Sequence, residues 1–336
     1  MTLVRVYCGL ASADTGARPA AAEPVLTAAV VDDAGRLLDV REIADSPAGY
    51  ATLAAILVAR SSGPSGTPVA ADSDDQAVTR LLTAAGSPLA IVDDEAIDDY
   101  AERFADDASM AEARSPATVR RAVGLARALQ VGAISALNLP TPRDLTGYRP
   151  VLSAHAALAH GRHAAAVALR EVLRELYPAA LRAYPDPAEP LSLAVLDALP
   201  EPGMLGGAGR GPQVEPDAVV AQLVSSRVAT KDTAAGAVTA LRAAVSETPR
   251  RTTTGRAITS AVAETVRQAV AAVRACDAAS DALVATLASR VASSAPPVDD
   301  RGGRRAAAEA APAPAASTGI PRVRAAEQEP APVRRA

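Results

Sequence analysis

Histidine, the commonest protein ligand of transition metals, occurs at only three positions in this chain. His155, His160 and His163 stand five and three residues apart, so at most two of them share one face of a helix. A zinc site takes three or four protein ligands, and no carboxylate or cysteine completes the pair. The spacing therefore favours a solvent-exposed helix face beside Arg162 over a metal site.

A run of glycines between Gly206 and Gly211 has the composition of a phosphate-binding loop. Such a loop follows a β-strand and opens a helix. The residues before this run are Glu201, Pro202 and Gly203, which do not form a strand pattern. We therefore expect a connecting loop here and no phosphate site.

The two cysteines, Cys8 and Cys276, are far apart in the sequence and predict neither a disulfide framework nor a paired-thiol metal site. Cys276 falls in an apolar helical pattern, where a thiol behaves as a small hydrophobic group.

The first ten residues lack a basic leader, and no apolar run is long enough to cross a bilayer. The sequence thus predicts a cytoplasmic protein that does not span a membrane.

Small apolar residues dominate the composition. Hydrophobic residues make up 49% of the sequence and aromatic residues only 2%, so the core must be built from Ala, Val and Leu. A core of this kind favours closely packed helices. With 336 residues, the chain is long enough for two folded units of ordinary size and a tail.

Strand and helix patterns alternate in residues 1–130. Turn residues at 32–35 separate two apolar runs and predict a β-hairpin. Ser46-Pro47 can open a helix, and residues 73–76 have the spacing of a capping box. The order βββαβαβα is that of a ribonuclease H-like fold, in which right-handed crossovers add parallel strands to a hairpin. The predicted strands are 3–8, 25–31, 36–43, 69–71 and 88–92, and the helices include 47–60, 93–107 and 116–130.

Residues 151–292 show only helical periodicity. Two long helices carry apolar seams with steps of mostly three and four residues, as in coiled coils, and we expect them to pair as an antiparallel hairpin. Two shorter helices are predicted at 217–228 and 233–246. The seam residues are Ala154, Leu158, Ala165, Leu169, Val172 and Leu176 in the first long helix, and Val262, Val266, Ala269, Val273, Cys276, Ser280, Leu283 and Leu287 in the second.

The predicted organisation is an α/β domain at 1–130, a connector at 131–150, a helical coiled-coil region at 151–292 and a tail at 293–336. The tail is rich in Ala, Pro and Arg and lacks periodicity, so it cannot bury enough apolar surface to offset the entropy of ordering. We therefore expect it to be disordered.

The seam of the second long helix also predicts self-association, because it is long enough to leave apolar surface after intramolecular pairing.

Charge is unevenly distributed, although the net charge is only −4. Residues 1–113 contain seven Arg and 19 acidic residues, whereas residues 114–182 contain ten Arg and three acidic residues. A basic helix face can neutralise the phosphates of a nucleic acid, although many such faces are simply solvated. Arg162, Arg170 and Arg174, at steps of eight and four residues, are the candidate nucleic-acid contacts.

Three segments resemble DEDD-type (RuvC-like) insertion-sequence transposases, the relatives of the Piv DNA invertase. Gly9-Leu10-Ala11 is similar to their first-strand Gly-Ile-Asp. Residues 116–126, which read Pro-Ala-Thr-Val-Arg-Arg-Ala-Val-Gly-Leu-Ala, align with their Lys-Thr-Asp-x-x-Asp-Ala-x-x-Leu-Ala. Residues 170–181 are similar to the helix that follows their nuclease domain. The resemblance covers about residues 3–290 and implies a ribonuclease H-like nuclease domain, without the family's further carboxy-terminal serine domain.

In that family, four carboxylates hold two Mg²⁺ ions that align a nucleophile with a phosphodiester. The resemblance places the four positions at Ala11, Asp72, Thr118 and Arg121, so only Asp72 keeps a carboxylate. A guanidinium at Arg121 would repel the cations. We therefore expect no metal cofactor, and a structural salt bridge between Asp72 and Arg121. Without any functional role, Asp72 would only end a strand, and Thr118 and Arg121 would be ordinary residues in the first turn of a helix.

These patterns support three functional hypotheses. The first is a transposase-like pseudoenzyme that retains binding of DNA or structured RNA but lacks most of the carboxylates for strand transfer. The second is a helical, self-associating interaction protein with no nucleic-acid role. The third is an active recombinase that uses other acids, such as Asp14 or Asp93. Binding that weakens steeply with salt separates the first from the second, and magnesium-dependent cleavage would identify the third.

Overall fold

A computed structural model describes residues 5–12, 24–61, 66–105, 109–205, 214–247 and 256–294. Residues 295–336 of the predicted tail, the glycine run and Asp14 lie outside these residues. The described part of residues 1–294 belongs to one compact unit. Among the described helices, none is both long and apolar enough to cross a membrane.

A five-stranded mixed sheet forms the amino-terminal part, with strand order β3-β2-β1-β4-β5. β1 pairs with β2 and β2 pairs with β3 in antiparallel fashion, whereas β4 is parallel to both β1 and β5. This is ribonuclease H-like topology, so the fold class predicted from the element order is confirmed. The strands are β1 (Val6–Ser12), β2 (Val25–Asp32), β3 (Leu37–Ala44), β4 (Val69–Ala71) and β5 (Leu89–Ile91).

The turn between β2 and β3 is organised by Asp32. Its carboxylate accepts hydrogen bonds from the backbone N–H groups of Ala34 and Arg36 and from Nε of Arg36. Burial by itself raises the pKa of Asp32, but these hydrogen bonds outweigh it and hold the pKa below its ordinary value. Gly35 supplies the left-handed conformation, with φ of +76°, that closes the turn.

Helices cover both faces of the sheet. One face packs against α1 (Pro47–Arg60) and α2 (Ala77–Ala85), and the other packs against α3 (Asp94–Arg103) and α5 (Ala117–Gln130). A short helix, α4 (Met110–Ala113), lies between them in sequence. Side chains of β1 alternate between the faces, with Cys8 and Leu10 on the α1 side and Ala11 on the α5 side.

The capping box predicted at residues 73–76 is wrong, because α2 begins only at Ala77. Gln76 occupies the N-cap position but makes no side-chain cap bond. Ser73 Oγ instead accepts from the N–H of Asp75 at 3.2 Å. The N–H of Val78 in the first turn donates to Asp45 Oδ1 at 2.9 Å, so the acceptor comes from the residue that follows β3.

The carboxy-terminal part is a helical array built on two long helices. These are α6 (Arg149–Leu176) and α11 (Arg256–Ser294). Arg162 pairs with Asp277, Leu152 shares a buried cluster with Leu287, and Leu169 shares one with Val270. The helices therefore run antiparallel, and the predicted hairpin is confirmed. Shorter helices complete the array: α7 (Pro178–Ala183), α8 (Pro190–Ala198), α9 (Pro216–Ser225) and α10 (Lys231–Glu247).

The predicted seam of α6 is partly wrong. Ala154 and Leu176 are exposed, whereas Leu152 and Leu173 are fully buried. The buried face of α6 is thus displaced from the predicted one, because this helix packs against α1 and α7 as well as α11. Tertiary neighbours on several sides set the buried face, and a two-helix periodicity cannot represent them.

The packing of α5 on β1 is close enough to require glycine. A Cβ atom added to Gly9 would lie 2.0 Å from the carbonyl oxygen of Ala122 and 2.8 Å from the backbone N of Ala126. Gly124, on the same helix, is equally confined, since a Cβ there would lie 2.7 Å from Cα of Ala101 in α3. Both neighbours are backbone, which cannot rotate away as a side chain can.

We predict that Gly9→Ala lowers the free energy of unfolding by about 3 kcal/mol or more, because the added methyl group must separate α5 from β1. Gly236→Ala is the matched control, since its Cβ meets nothing within 4 Å and Gly236 lies inside α10. The control should raise stability by about 0.5–1 kcal/mol through helix propensity. Urea unfolding followed by circular dichroism measures both changes. Equal effects of the two substitutions would contradict the close packing.

Candidate functional site

The position that the resemblance to DEDD transposases assigned to the first carboxylate lies on β1 and is occupied by Ala11. Ala11 is fully buried in an apolar cluster with Ala29 of β2 and with Ala122 and Val123 of α5. No oxygen atom of a side chain is available at this point, and α5 covers the strand directly. The residue therefore contributes to packing and cannot ligate a cation.

Asp72, the one acidic residue among the four positions, directly follows β4 and joins two strand ends. Its Oδ2 accepts from the backbone N–H of Ser12 at 2.5 Å, and its Oδ1 accepts from Nε2 of Gln76 at 2.6 Å. The same Nε2 donates to Ser12 Oγ at 2.8 Å. Gln76 is only 8% exposed. The carboxylate thus ties the end of β1 to the loop that leads into α2.

The predicted salt bridge between Asp72 and Arg121 is wrong. Arg121 lies on the first half of α5 and donates to Asp98 of α3, with Nε to Oδ1 at 2.6 Å and Nη2 to Oδ2 at 3.2 Å. The hydrogen bonds from Arg121 hold the pKa of Asp98 below its ordinary value despite some desolvation. The acidic helix α3 packs along α5 and offers Arg121 a nearer carboxylate. Thr118, one turn earlier, is only partly buried.

A clamp that the sequence did not reveal is formed by Arg127 on α5. Its guanidinium makes a bidentate pair with Glu112 of α4, with both N···O distances at 2.8 Å. It also donates to the carbonyl oxygens of Gly35, at 2.9 Å, and Phe104, at 2.8 Å. Arg127 is only 11% exposed, and it ties the β2–β3 turn to α3 and α4. No pattern in the sequence distinguishes it from the exposed arginines nearby.

The three arginines proposed as nucleic-acid contacts are engaged by acceptors of the chain itself. Arg162 pairs with Asp277 at 2.5 Å and donates to the carbonyl of Ala188 at 3.1 Å. Arg170 donates to the carbonyl of Pro185 at 2.8 Å, in the same loop between α7 and α8. Arg174 pairs with Glu171, one turn away on α6. A guanidinium has five N–H donors, so these bonds leave capacity for phosphate.

The solvent-exposed face predicted for the histidines is wrong for His155. This residue is only 1% exposed, and its ring lies 5.7 Å from the ring of Tyr50 on α1. Its Nδ1 is buried and has no hydrogen-bond partner in the described part of the chain. His160, in contrast, is exposed, as predicted. Residue spacing could not foresee that α1 would cover one side of α6.

The apolar seam of α11 is used inside the chain. Val266, Val270 and Val273 are fully buried in one cluster with Leu169 and Leu173 of α6. This stretch of the seam therefore packs within the chain, and self-association through residues 262–287 stays a prediction. Among the residues that the structure describes, no three His, Cys, Asp or Glu side chains are grouped so that they could hold a metal ion.

Comparisons with known proteins add no family assignment. No family model matches this chain, and no curated protein sequence matches it. A functional proposal therefore rests on the sheet topology and on the packing around Ala11.

We predict that Asp72→Ala destabilises the fold by about 1–3 kcal/mol, because the Ser12 N–H loses its acceptor and the buried Gln76 amide loses one of its two acceptors. Asp75→Ala is the control, since Asp75 is exposed and close in sequence. It should change the free energy of unfolding by no more than about 0.5 kcal/mol. Denaturant titration compares the two variants. An unchanged midpoint in Asp72→Ala would show that the carboxylate does not hold the strand ends.

We predict that stability falls on acidification because of His155. Burial lowers the pKa of its imidazole below the ordinary value of 6.5, so the unfolded chain binds the proton more readily than the folded protein does. The free energy of unfolding is therefore fully retained above about pH 6.5 and declines as the pH falls towards the folded-state pKa. Urea titrations at several pH values measure this decline.

His155→Leu should reduce this pH dependence, because it removes the titrating group and keeps an apolar volume at the buried position. His160→Gln, at an exposed position of the same helix, should leave the pH dependence unchanged. A decline of equal steepness in all three proteins would assign it to other groups.

Proposed function

We propose that this chain is a transposase-like protein of the RuvC-like type that binds DNA or structured RNA without two-metal strand transfer. The observation that carries the proposal is the tight packing at the position that the resemblance assigns to the first carboxylate. The ribonuclease H-like sheet is complete, yet the first carboxylate position is the fully buried Ala11 beneath α5. This packing supports a nuclease-like scaffold in which an apolar contact has replaced the first metal-binding position.

The remaining family positions support the same reading. The carboxylate oxygens of Asp72 accept hydrogen bonds from Ser12 and Gln76, and Arg121 carries a positive charge beside Asp98. Two Mg²⁺ ions need several oxygen ligands around one point. The residues present at these positions do not fit such ions.

Binding of nucleic acid is supported by charge and by the resemblance to DEDD transposases. The ten Arg of residues 114–182 lie on α5, on α6 and in the segments around them. Exposed guanidinium groups spaced along one helix, as on α6, are suited to the regularly spaced phosphates of a nucleic acid. Arg162, Arg170 and Arg174 remain the proposed contacts on α6, with the donors that their internal bonds leave free.

Binding can be measured by fluorescence anisotropy with a labelled DNA duplex and a labelled RNA hairpin at several salt concentrations. We expect affinity for at least one of them that falls steeply as salt rises. Changing Arg162, Arg170 and Arg174 together to Gln should weaken binding by about tenfold or more and lower the salt slope by roughly two to three, because each lost phosphate contact contributes about 0.9.

The matched control changes Arg242, Arg267 and Arg274 to Gln, which removes the same charge from α10 and α11 outside the basic segment. Thermal unfolding of each variant checks that the fold is intact. Equal losses in both triple variants would reduce the effect to net charge. Absence of binding to either probe at low salt would overturn the proposal, and stable oligomers without binding would favour the interaction-protein hypothesis. Magnesium-dependent nicking of a plasmid would contradict the loss of catalysis.

A further inference from the structure

Four elements that are distant in sequence meet at the amino-terminal end of α6. They are α2, the start of α6, the last turns of α11 and a short 3₁₀-helix, Arg143–Tyr148, that leads into α6. Val78, Leu145, Leu152 and Leu287, one from each element, belong to the same buried cluster. The charged side chains of these elements therefore surround one end of the α6–α11 hairpin.

The charged residues at this end of the hairpin are almost all basic. With α6 counted to Gly161 and α11 counted from Val284, the four elements contain four arginines and one acidic residue, Asp144. All five of these charged residues are exposed. We call this surface the basic end, and its arginines are Arg80, Arg143, Arg149 and Arg290.

Arg143 and Arg149 are the two arginines of the basic end that are best placed to bind a group from outside the chain. Neither has a hydrogen bond or an ion pair within the described part of the chain, whereas Arg80 pairs with Asp144. A guanidinium without an acidic partner keeps its five N–H donors, and their fork geometry matches the oxygens of a phosphate. The basic end is therefore suited to phosphate groups.

The exposed face of α6 connects the basic end to Arg170 and Arg174. These residues follow Arg149 by 21 and 25 positions. At 3.6 residues per turn, all three arginines lie within about 60° of one another around the helix axis. The exposed residues of this face between them carry no carboxylate that would repel a phosphate, and they are Ser153, Ala157, His160, Ala164 and Val167.

The spacing of the arginines along this face matches one turn of duplex DNA. With a rise of 1.5 Å per residue, Arg149 lies about 32 Å from Arg170 and about 38 Å from Arg174 along the helix axis. One turn of B-form DNA measures roughly 34–36 Å. A duplex that lies along α6 therefore presents phosphates of the same strand to both ends of the face, while the uncharged middle of the helix faces its grooves.

From this match we propose that α6 is a docking surface for duplex DNA of at least one helical turn. Arg143 and Arg149 bind phosphates at the basic end, and Arg170 and Arg174 bind phosphates one turn away. This inference rests on the proposed function and narrows the partner from DNA or structured RNA to B-form DNA. A-form RNA differs in groove width and depth, so its phosphates are placed differently along such a face.

The length of the duplex provides a direct test, because two contact regions on one molecule reinforce each other only when the ligand reaches both. The full chain is titrated into labelled DNA hairpins at low salt and binding is followed by fluorescence anisotropy. The stems contain about 6, 12 and 18 base pairs, compared with roughly 10 base pairs in one turn. We expect affinity to rise by about tenfold or more from the shortest to the middle stem, and much less from the middle to the longest.

Changing Arg143 and Arg149 together to Gln should remove this step. Binding of the two longer stems should weaken by about tenfold, and the salt slope should fall by roughly two, since each lost phosphate contact contributes about 0.9. The matched control changes Arg242 and Arg267 to Gln, which removes the same charge from α10 and α11 and should keep the step. Thermal unfolding checks that both variants are folded.

The outcomes separate this inference from the proposed function. Affinity that rises evenly with stem length, unchanged binding after the Arg143 and Arg149 substitutions, or equal affinity for an RNA stem of the same length would overturn the duplex-DNA surface and leave nucleic-acid binding intact. No binding to any DNA or RNA stem at low salt would overturn the proposed function, and this inference with it.

Discussion

The close contact between the backbone of α5 and the backbone of β1 is the constraint on which the amino-terminal part depends. It requires a hydrogen atom in place of a side chain at Gly9, and a second one at Gly124 where α3 approaches. Along the same helix Ala122, Ala126 and Ala128 are fully buried. Small side chains let the layers approach, and the short distance increases the dispersion energy of each contact. The chain thereby forms a dense core almost without aromatic residues.

This packing decides the chemistry at the centre of the sheet. A helix that sits directly on β1 leaves no room for hydrated cations beside Ala11, and the methyl group completes the contact with Ala122 and Val123. The same helix directs Arg121 towards α3 and lets Arg127 bind Glu112 and the β2–β3 turn. The positions that the resemblance aligns with metal ligands of DEDD transposases thus serve strand joining and helix packing here, which is why we propose binding without cleavage.

In contrast to the dense amino-terminal core, the helical part leaves a cavity at its middle. Toward one end of the α6–α11 hairpin the contacts are aliphatic, as at Leu169 and Val270, and toward the other they involve Leu152 and Leu287. Between these levels the facing residues are His155, Arg162, Cys276 and Asp277, with Gly161 placed so that a Cβ would lie 3.6 Å from the Cys276 sulfur. Polar and small side chains do not fill the space between three helices, and a cavity remains.

The sequence by itself determined the main strand and helix order of the first 130 residues, the turn at Asp32 to Gly35 and the pairing of the two long helices, because each depends on local periodicity and turn chemistry. The resemblance to DEDD transposases further predicts that three of the four aligned positions lack a carboxylate, since residue identity needs no coordinates. The sequence could not show which distant residues become contact partners in the fold. The choice of Asp98 for Arg121, the clamp at Arg127, the burial of His155 and the cap that Asp45 provides for α2 depend on which elements become neighbours. Tertiary structure alone decides such contacts, because residues far apart in sequence meet only after the layers have packed.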